Sequence, residues 1–73
     1  MKTEYLSIKL IEQKEKTNVY EISSRLHGFK LGIIKWFPRW RQYSFFPESQ
    51  TIYSYDCLEY ISNFIKKLKE QHA

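Results

Sequence analysis

The chain has 73 residues, 42% of them hydrophobic and 27% charged, with a net charge of +4. So short a chain builds one hydrophobic core and excludes a second, so residues 1–73 are read as a single domain. The single cysteine, Cys57, and the two distant histidines, His27 and His72, exclude an internal disulfide and a four-ligand metal site, and neither a metal nor a cofactor is expected.

From Thr3 to Glu12, Leu6, Ile8 and Leu10 alternate with Ser7 and Lys9, the period-two pattern of a strand with one buried face. The polar run Gln13-Lys14-Glu15-Lys16 separates it from a second, more polar strand over Thr17 to Leu26, carried by Val19, Tyr20 and Ile22, and the two are expected to form a hairpin. His27-Gly28 is the next turn, because glycine takes the positive φ that a tight hairpin asks for. Phe29 to Phe37 then reads as the central strand, with Leu31, Ile33, Ile34 and Trp36 making a nearly continuous apolar run. Gly32 inside it marks a bulge or a place where another group approaches the backbone.

Pro38 lacks a backbone N–H and stops that strand, so Phe37-Pro38-Arg39-Trp40 reads as the turn into a fourth strand from about Arg41 to Phe46. In that strand Arg41, Tyr43 and Phe45 share one face and Gln42, Ser44 and Phe46 the other. After Pro47 and a loop, Asp56 and Glu59 stand at capping-box spacing and predict the start of a helix. Cys57, Leu58, Ile61, Phe64, Ile65 and Leu68 form its apolar stripe, while Glu59, Ser62, Asn63, Lys66, Lys67, Lys69 and Glu70 fall on its outer surface. The order predicts an α+β fold, a four-stranded antiparallel sheet with one C-terminal helix packed on one face (ββββα).

Charge and rings are unevenly placed. Between Glu21 and Glu48 there is no acidic residue, yet Arg25, Lys30, Lys35, Arg39 and Arg41 lie there, so the rest of the chain sums to minus one. Six of the thirteen aromatics fall between Trp36 and Phe46, interleaved with Arg39 and Arg41. Arginine contacts phosphate and rings stack on bases, so Lys35, Trp36, Arg39, Trp40, Arg41 and Tyr43 are the candidate binding residues, acting through the uncovered sheet face and the hairpin tip. The competing reading puts Trp36 and Phe45 in the core and holds the arginines over tryptophan rings by cation–π contact. Trp40, after a proline and between two arginines, is expected at an edge or in a loop.

No chemistry of bond breaking is visible. The carboxylates are scattered, Gly28 and Gly32 cannot make a phosphate loop, and Cys57 on the apolar stripe has no histidine placed to activate it, so catalysis is not expected. The longest apolar run is well short of the roughly 20 residues of a membrane span, and the N-terminus lacks the pattern of a cleaved leader, so a cytoplasmic location without membrane contact is expected. The partner reads as single-stranded nucleic acid or, since tryptophan, tyrosine and arginine are also enriched in protein interfaces, as a host or phage protein; a homodimer through the uncovered face is the further alternative.

The run Leu31 to Pro47, with Lys35-Trp36, then Trp40-Arg41-Gln42-Tyr43 and a phenylalanine pair before proline, followed by Asp56-Cys57-Leu58 and the amphipathic helix, resembles small proteins encoded by bacteriophages and mobile elements. That resemblance implies a phage-type origin and brings no assigned activity. The order of four strands and a helix is separately similar to single-strand nucleic-acid binders such as the positive-cofactor transcriptional coactivators, the Whirly proteins and the Pur repeats, an analogy of topology that places no site.

Overall fold

The computed structural model describes residues 6–72 and orders them as β1 (Leu6–Gln13), β2 (Asn18–Ser24), β3 (Lys30–Phe37), β4 (Gln42–Pro47) and α1 (Tyr55–His72). Thr3 to Tyr5 of the expected first strand lie outside the described residues. The strands pair in chain order, all antiparallel, as an open four-stranded sheet, and the helix lies across one face, the ββββα arrangement the hydrophobic periods predict.

The register decides which side chains meet the helix. Leu10 pairs with Tyr20, Tyr20 with Ile34 and Ile34 with Phe45, so these four form one row across the sheet. Ile8, Ile22 and Gly32 form the row beside it. Ile22 and Ile34 are fully buried at the middle of these rows, and Leu6, Leu31, Tyr43, Ile61 and Leu68 close around them. The alternate residues, among them Lys9, Glu21, Ile33 and Phe46 in one cross-sheet row, take the face the helix does not cover.

Turn chemistry agrees with the sequence at two of the three hairpins and refines it at the third. Lys14 donates its N–H to the Thr17 carbonyl (2.8 Å) in the first hairpin. In the second, Gly28 has φ 76°, in the left-handed region, and donates to the Ser24 carbonyl (2.7 Å). In the third the strand begins at Gln42 and Arg41 belongs to the turn, which corrects its expected place in β4.

Gly32 fulfils both readings of a glycine in a strand. The pairing of β2 with β3 shifts between Ile22 and Ser23, leaving Leu31 as the extra residue of a bulge. Its carbonyl accepts the Glu48 N–H (2.8 Å) and the Tyr53 hydroxyl (2.6 Å), which ties the loop before the helix to the start of β3. At Gly32 itself a Cβ would stand 2.6 Å from the Phe46 carbonyl oxygen and 2.7 Å from the Phe45 ring. Phe45 therefore lies on the bare backbone of its neighbour strand, its edge 5.4 Å, centroid to centroid, from Tyr53.

The helix is capped two residues earlier than its carboxylates suggest. Ser54 is the cap: its hydroxyl oxygen accepts the Cys57 N–H (3.3 Å) and its carbonyl the Leu58 N–H (3.1 Å). Asp56 thus sits inside the first turn, where it complements the helix dipole, and no Asp56–Glu59 box forms. Ile61 and Leu68 are the buried centre of the stripe, with Cys57, Tyr60, Phe64 and Ile65 half-buried around them and Phe64 edge-on to Tyr20. Leu58, at the margin of that stripe, is 49% exposed, and the long side chain of Tyr60 reaches the core from the other margin.

The two glycines separate crowding from backbone strain. Gly32→Ala is expected to cost about 2 kcal/mol, because strand backbone must move to admit one methyl, and Gly28→Ala about 1 kcal/mol from its φ alone, since nothing lies within 4 Å of the added carbon. Urea denaturation of both variants checks the order, and a larger loss at Gly28 would contradict it.

Candidate functional site

The β3–β4 turn is built by Pro38 and by one carbonyl. Phe37 C=O accepts the N–H groups of Trp40 (3.2 Å) and Arg41 (2.9 Å), and Arg41 closes the turn at φ 55°, the left-handed region that an arginine occupies only under strain. This lifts Trp40 out of the sheet. Its side is 66% exposed, and its ring rests edge-on against Phe37 at 4.9 Å. Phe37 leans on Phe46 (6.0 Å), whose ring carries the Lys35 ammonium 5.1 Å from its centroid.

On the other face the same hairpin presents Trp36, edge-on to Tyr43 at 5.6 Å and 87°. Tyr43 is only 7% exposed, and its hydroxyl oxygen accepts the Asn18 N–H (3.1 Å), which ties the start of β4 to the start of β2. Because β4 runs away from this end and α1 returns toward it, the C-terminal half of the helix comes to lie beside the hairpin tip. Between them is a cleft of about 580 Å³. Trp36, Trp40, Arg41, Gln42 and Tyr43 line it from the hairpin; Ser62, Ile65, Lys66 and Lys69 line it from the helix.

Four of the six residues picked from the sequence therefore meet in one place: Trp36, Trp40, Arg41 and Tyr43. Arg39 is exposed on the turn next to it. Lys35 is on the opposite sheet face, over Phe46, so the hairpin and the uncovered face are two surfaces and not the single one expected. Nor does the acid-free stretch form one basic patch. Arg25 lies in the β2–β3 turn at the far end of the sheet, and Lys30 faces Glu48, with 3.5 Å between Nζ and Oε2.

Ser62, Lys66 and Lys69 were assigned to the outer helix surface by their polarity, yet they complete the cleft. Their spacing of four and three, continuing the rhythm of Ile65, puts them on one strip flanking the apolar stripe; Glu59 and Glu70 neighbour that strip, at three residues from Ser62 and four from Lys66, but do not line the cleft. That strip was readable; which flank of the helix would face the hairpin was not.

Chemically the cleft offers two indole rings and a phenol ring as apolar walls, three cations in Arg41, Lys66 and Lys69, and an amide and a hydroxyl in Gln42 and Ser62. Among the described residues no carboxylate, histidine or cysteine lines it, so it is equipped to hold a ligand that is planar and anionic. A smaller cavity of about 320 Å³ lies at the other end, where Leu6, Phe29, Leu31, Ile52 and Cys57 give apolar walls and Ser24, Gln50 and Thr51 polar ones. Among the described residues no cluster of metal-ligating side chains occurs, and no helix is long and apolar enough to cross a membrane.

The strained turn makes Arg41 separable from the fold. Arg41→Gly is expected to leave stability unchanged or raise it by up to about 1 kcal/mol, and Arg41→Val to lower it by about 1–2 kcal/mol, because glycine accepts the left-handed φ and a β-branched residue does not. Thermal unfolding of the two variants checks this; equal losses would mean that the arginine side chain holds the turn.

Comparison with family models, with curated proteins and with solved structures gives no match for this chain.

Proposed function

We propose that this chain is a binding module for single-stranded nucleic acid, which it receives at the β3–β4 tip and in the cleft between that tip and α1. The observation that carries the reading is the convergence of Trp36 and Trp40 with Arg41, Lys66 and Lys69 on one groove that no carboxylate lines among the described residues. A single strand offers what such a groove accepts: open base faces for the indoles and phosphates for the cations. A duplex hides its base faces, and the rings would then have nothing to stack on. The uncovered sheet face is the poorer receptor for a polyanion, since Glu21 sits mid-sheet in the row between Lys9 and Ile33.

The alternative is a protein partner of the host or phage type, or a second copy of this chain. It is supported by the apolar end, where Phe29 and Ile52 are exposed, Ile52 at 94%, around the smaller cavity. A phage or mobile-element origin is compatible with either reading and belongs to the same proposal.

Fluorescence anisotropy with a labelled single strand of mixed sequence separates the two. Micromolar binding is expected, preferring the single strand over its duplex and weakening about twentyfold between 50 and 200 mM salt if three phosphates are neutralised. Trp40→Ala is expected to weaken it by about 1–3 kcal/mol, the value of one base on one ring, while Arg25→Ala in the β2–β3 turn at the far end of the sheet changes it little. Absence of binding at low salt would remove the nucleic-acid reading in favour of a protein partner.

A further inference from the structure

We infer that the cleft seats a single nucleotide of the strand, base and phosphate together, so that a free nucleoside monophosphate is its minimal ligand. This rests on the single-strand reading above but goes further, because a tip bearing Trp40, Arg39 and Arg41 alone would grip any stretch of backbone without taking in an individual unit.

The walls favour one unit. Tyr43 stands at the back, held by the hydrogen bond from Asn18 and by the edge contact with Trp36, so the inner wall is fixed before a ligand arrives. Trp40, on the strained turn and leaning on Phe37, is the exposed outer wall. The space of about 580 Å³ falls in the range of small-ligand sites, of order 300–1,000 Å³, and has room for one base and its sugar phosphate. A run of stacked bases needs an open platform of rings, and here the rings face a helix.

The polar groups match the same unit. Lys66 and Lys69 are neighbours on the helix surface at i, i+3, close enough for both ammonium groups to reach one phosphate, and Arg41 approaches from the hairpin side. Gln42 brings a donor and an acceptor and Ser62 a hydroxyl, the groups that hydrogen-bond a base edge or a sugar. Inorganic phosphate would satisfy only the cations, and a neutral nucleoside only the rings and the amide. A nucleotide engages all three sets at once.

The test is a titration of the full chain with adenosine 5′-monophosphate, adenosine and inorganic phosphate in parallel, followed through the indole N–H resonances of Trp36 and Trp40, with the labelled single strand as competitor. The monophosphate is expected to shift both resonances saturably and to displace the strand, and adenosine and phosphate to bind about tenfold more weakly or less, since each lacks one half of the charge-assisted and stacking contacts. Lys66→Ala with Lys69→Ala, both on exposed positions, is expected to keep the melting temperature and lose about tenfold in monophosphate affinity; Lys9→Ala with Arg25→Ala, which removes the same charge from the uncovered face and the far end of the sheet, is expected to lose far less. If the strand binds but the monophosphate moves neither resonance and the Lys66/Lys69 variant binds the strand as the native chain does, the cleft inference falls and the tip reading stands. If the monophosphate binds and no strand does, the cleft inference stands and the single-strand reading falls. If neither binds, both fall.

Discussion

The contact of Phe45 with the bare backbone of Gly32 is the constraint on which the rest of the arrangement depends. It joins β3 to β4 at one register, because only at that position does β3 lack a side chain, and a slip of one residue would exchange the faces of every side chain beyond it. With the register set, Ile34 pairs with Phe45 and Trp36 with Tyr43 on the helix side, while Ile33 pairs with Phe46 on the other. The bulge at Leu31 belongs to the same device: it re-aims the start of β3, and its carbonyl anchors the loop from which the helix departs.

From that register follows the division of the aromatic residues. Phe45, Tyr43 and Phe64 serve the core of a chain too short to fill one with aliphatic residues alone, and Tyr20 and Tyr53 add ring edges to it. Phe37 and Phe46 go to the uncovered face, where Lys35 covers part of the Phe46 ring. Trp36 and Trp40 are left at the end of the hairpin, one on each side of the point where β3 turns into β4, and the helix returning along the sheet brings lysines to meet them. The site is thus a product of topology: an antiparallel β4 followed by a helix running back must end where β3 ends.

Much of this was legible in the residues. Alternation in Leu6, Ile8 and Leu10, glycine at the second turn, proline at the third and the 3.6-residue rhythm of Ile61, Phe64, Ile65 and Leu68 each encode a local geometry, and local geometry added up to the fold. Gly32 was readable as a bulge or a close approach and is both. The failures are of two kinds: at the cap and the third turn one local geometry displaces another, and at Lys66, Lys69, Arg25 and Lys30 the outcome depends on how distant segments are brought together. Asp56 and Glu59 have capping-box spacing, but Ser54 takes the cap. Arg41 has the alternation of a strand residue but sits in a strained turn, because the pairing of Phe37 with Gln42 leaves four residues to reverse the chain. Lys66 and Lys69 look like solvated helix surface until the hairpin is placed beside them, and Arg25 and Lys30 look like members of a basic cluster until the sheet carries them to its far end.

We propose that the hairpin tip and the adjoining helix flank, and not the uncovered sheet face, receive a single strand. Amide and indole chemical-shift mapping with an unlabelled single-stranded oligonucleotide tests it most directly. Shifts are expected to concentrate at Trp36, Arg39 to Gln42, Ser62, Lys66 and Lys69, with Lys9, Glu21 and Ile33 unmoved. Shifts centred on Lys9, Glu21, Ile33 and Phe46, or around Phe29 and Ile52, would contradict it.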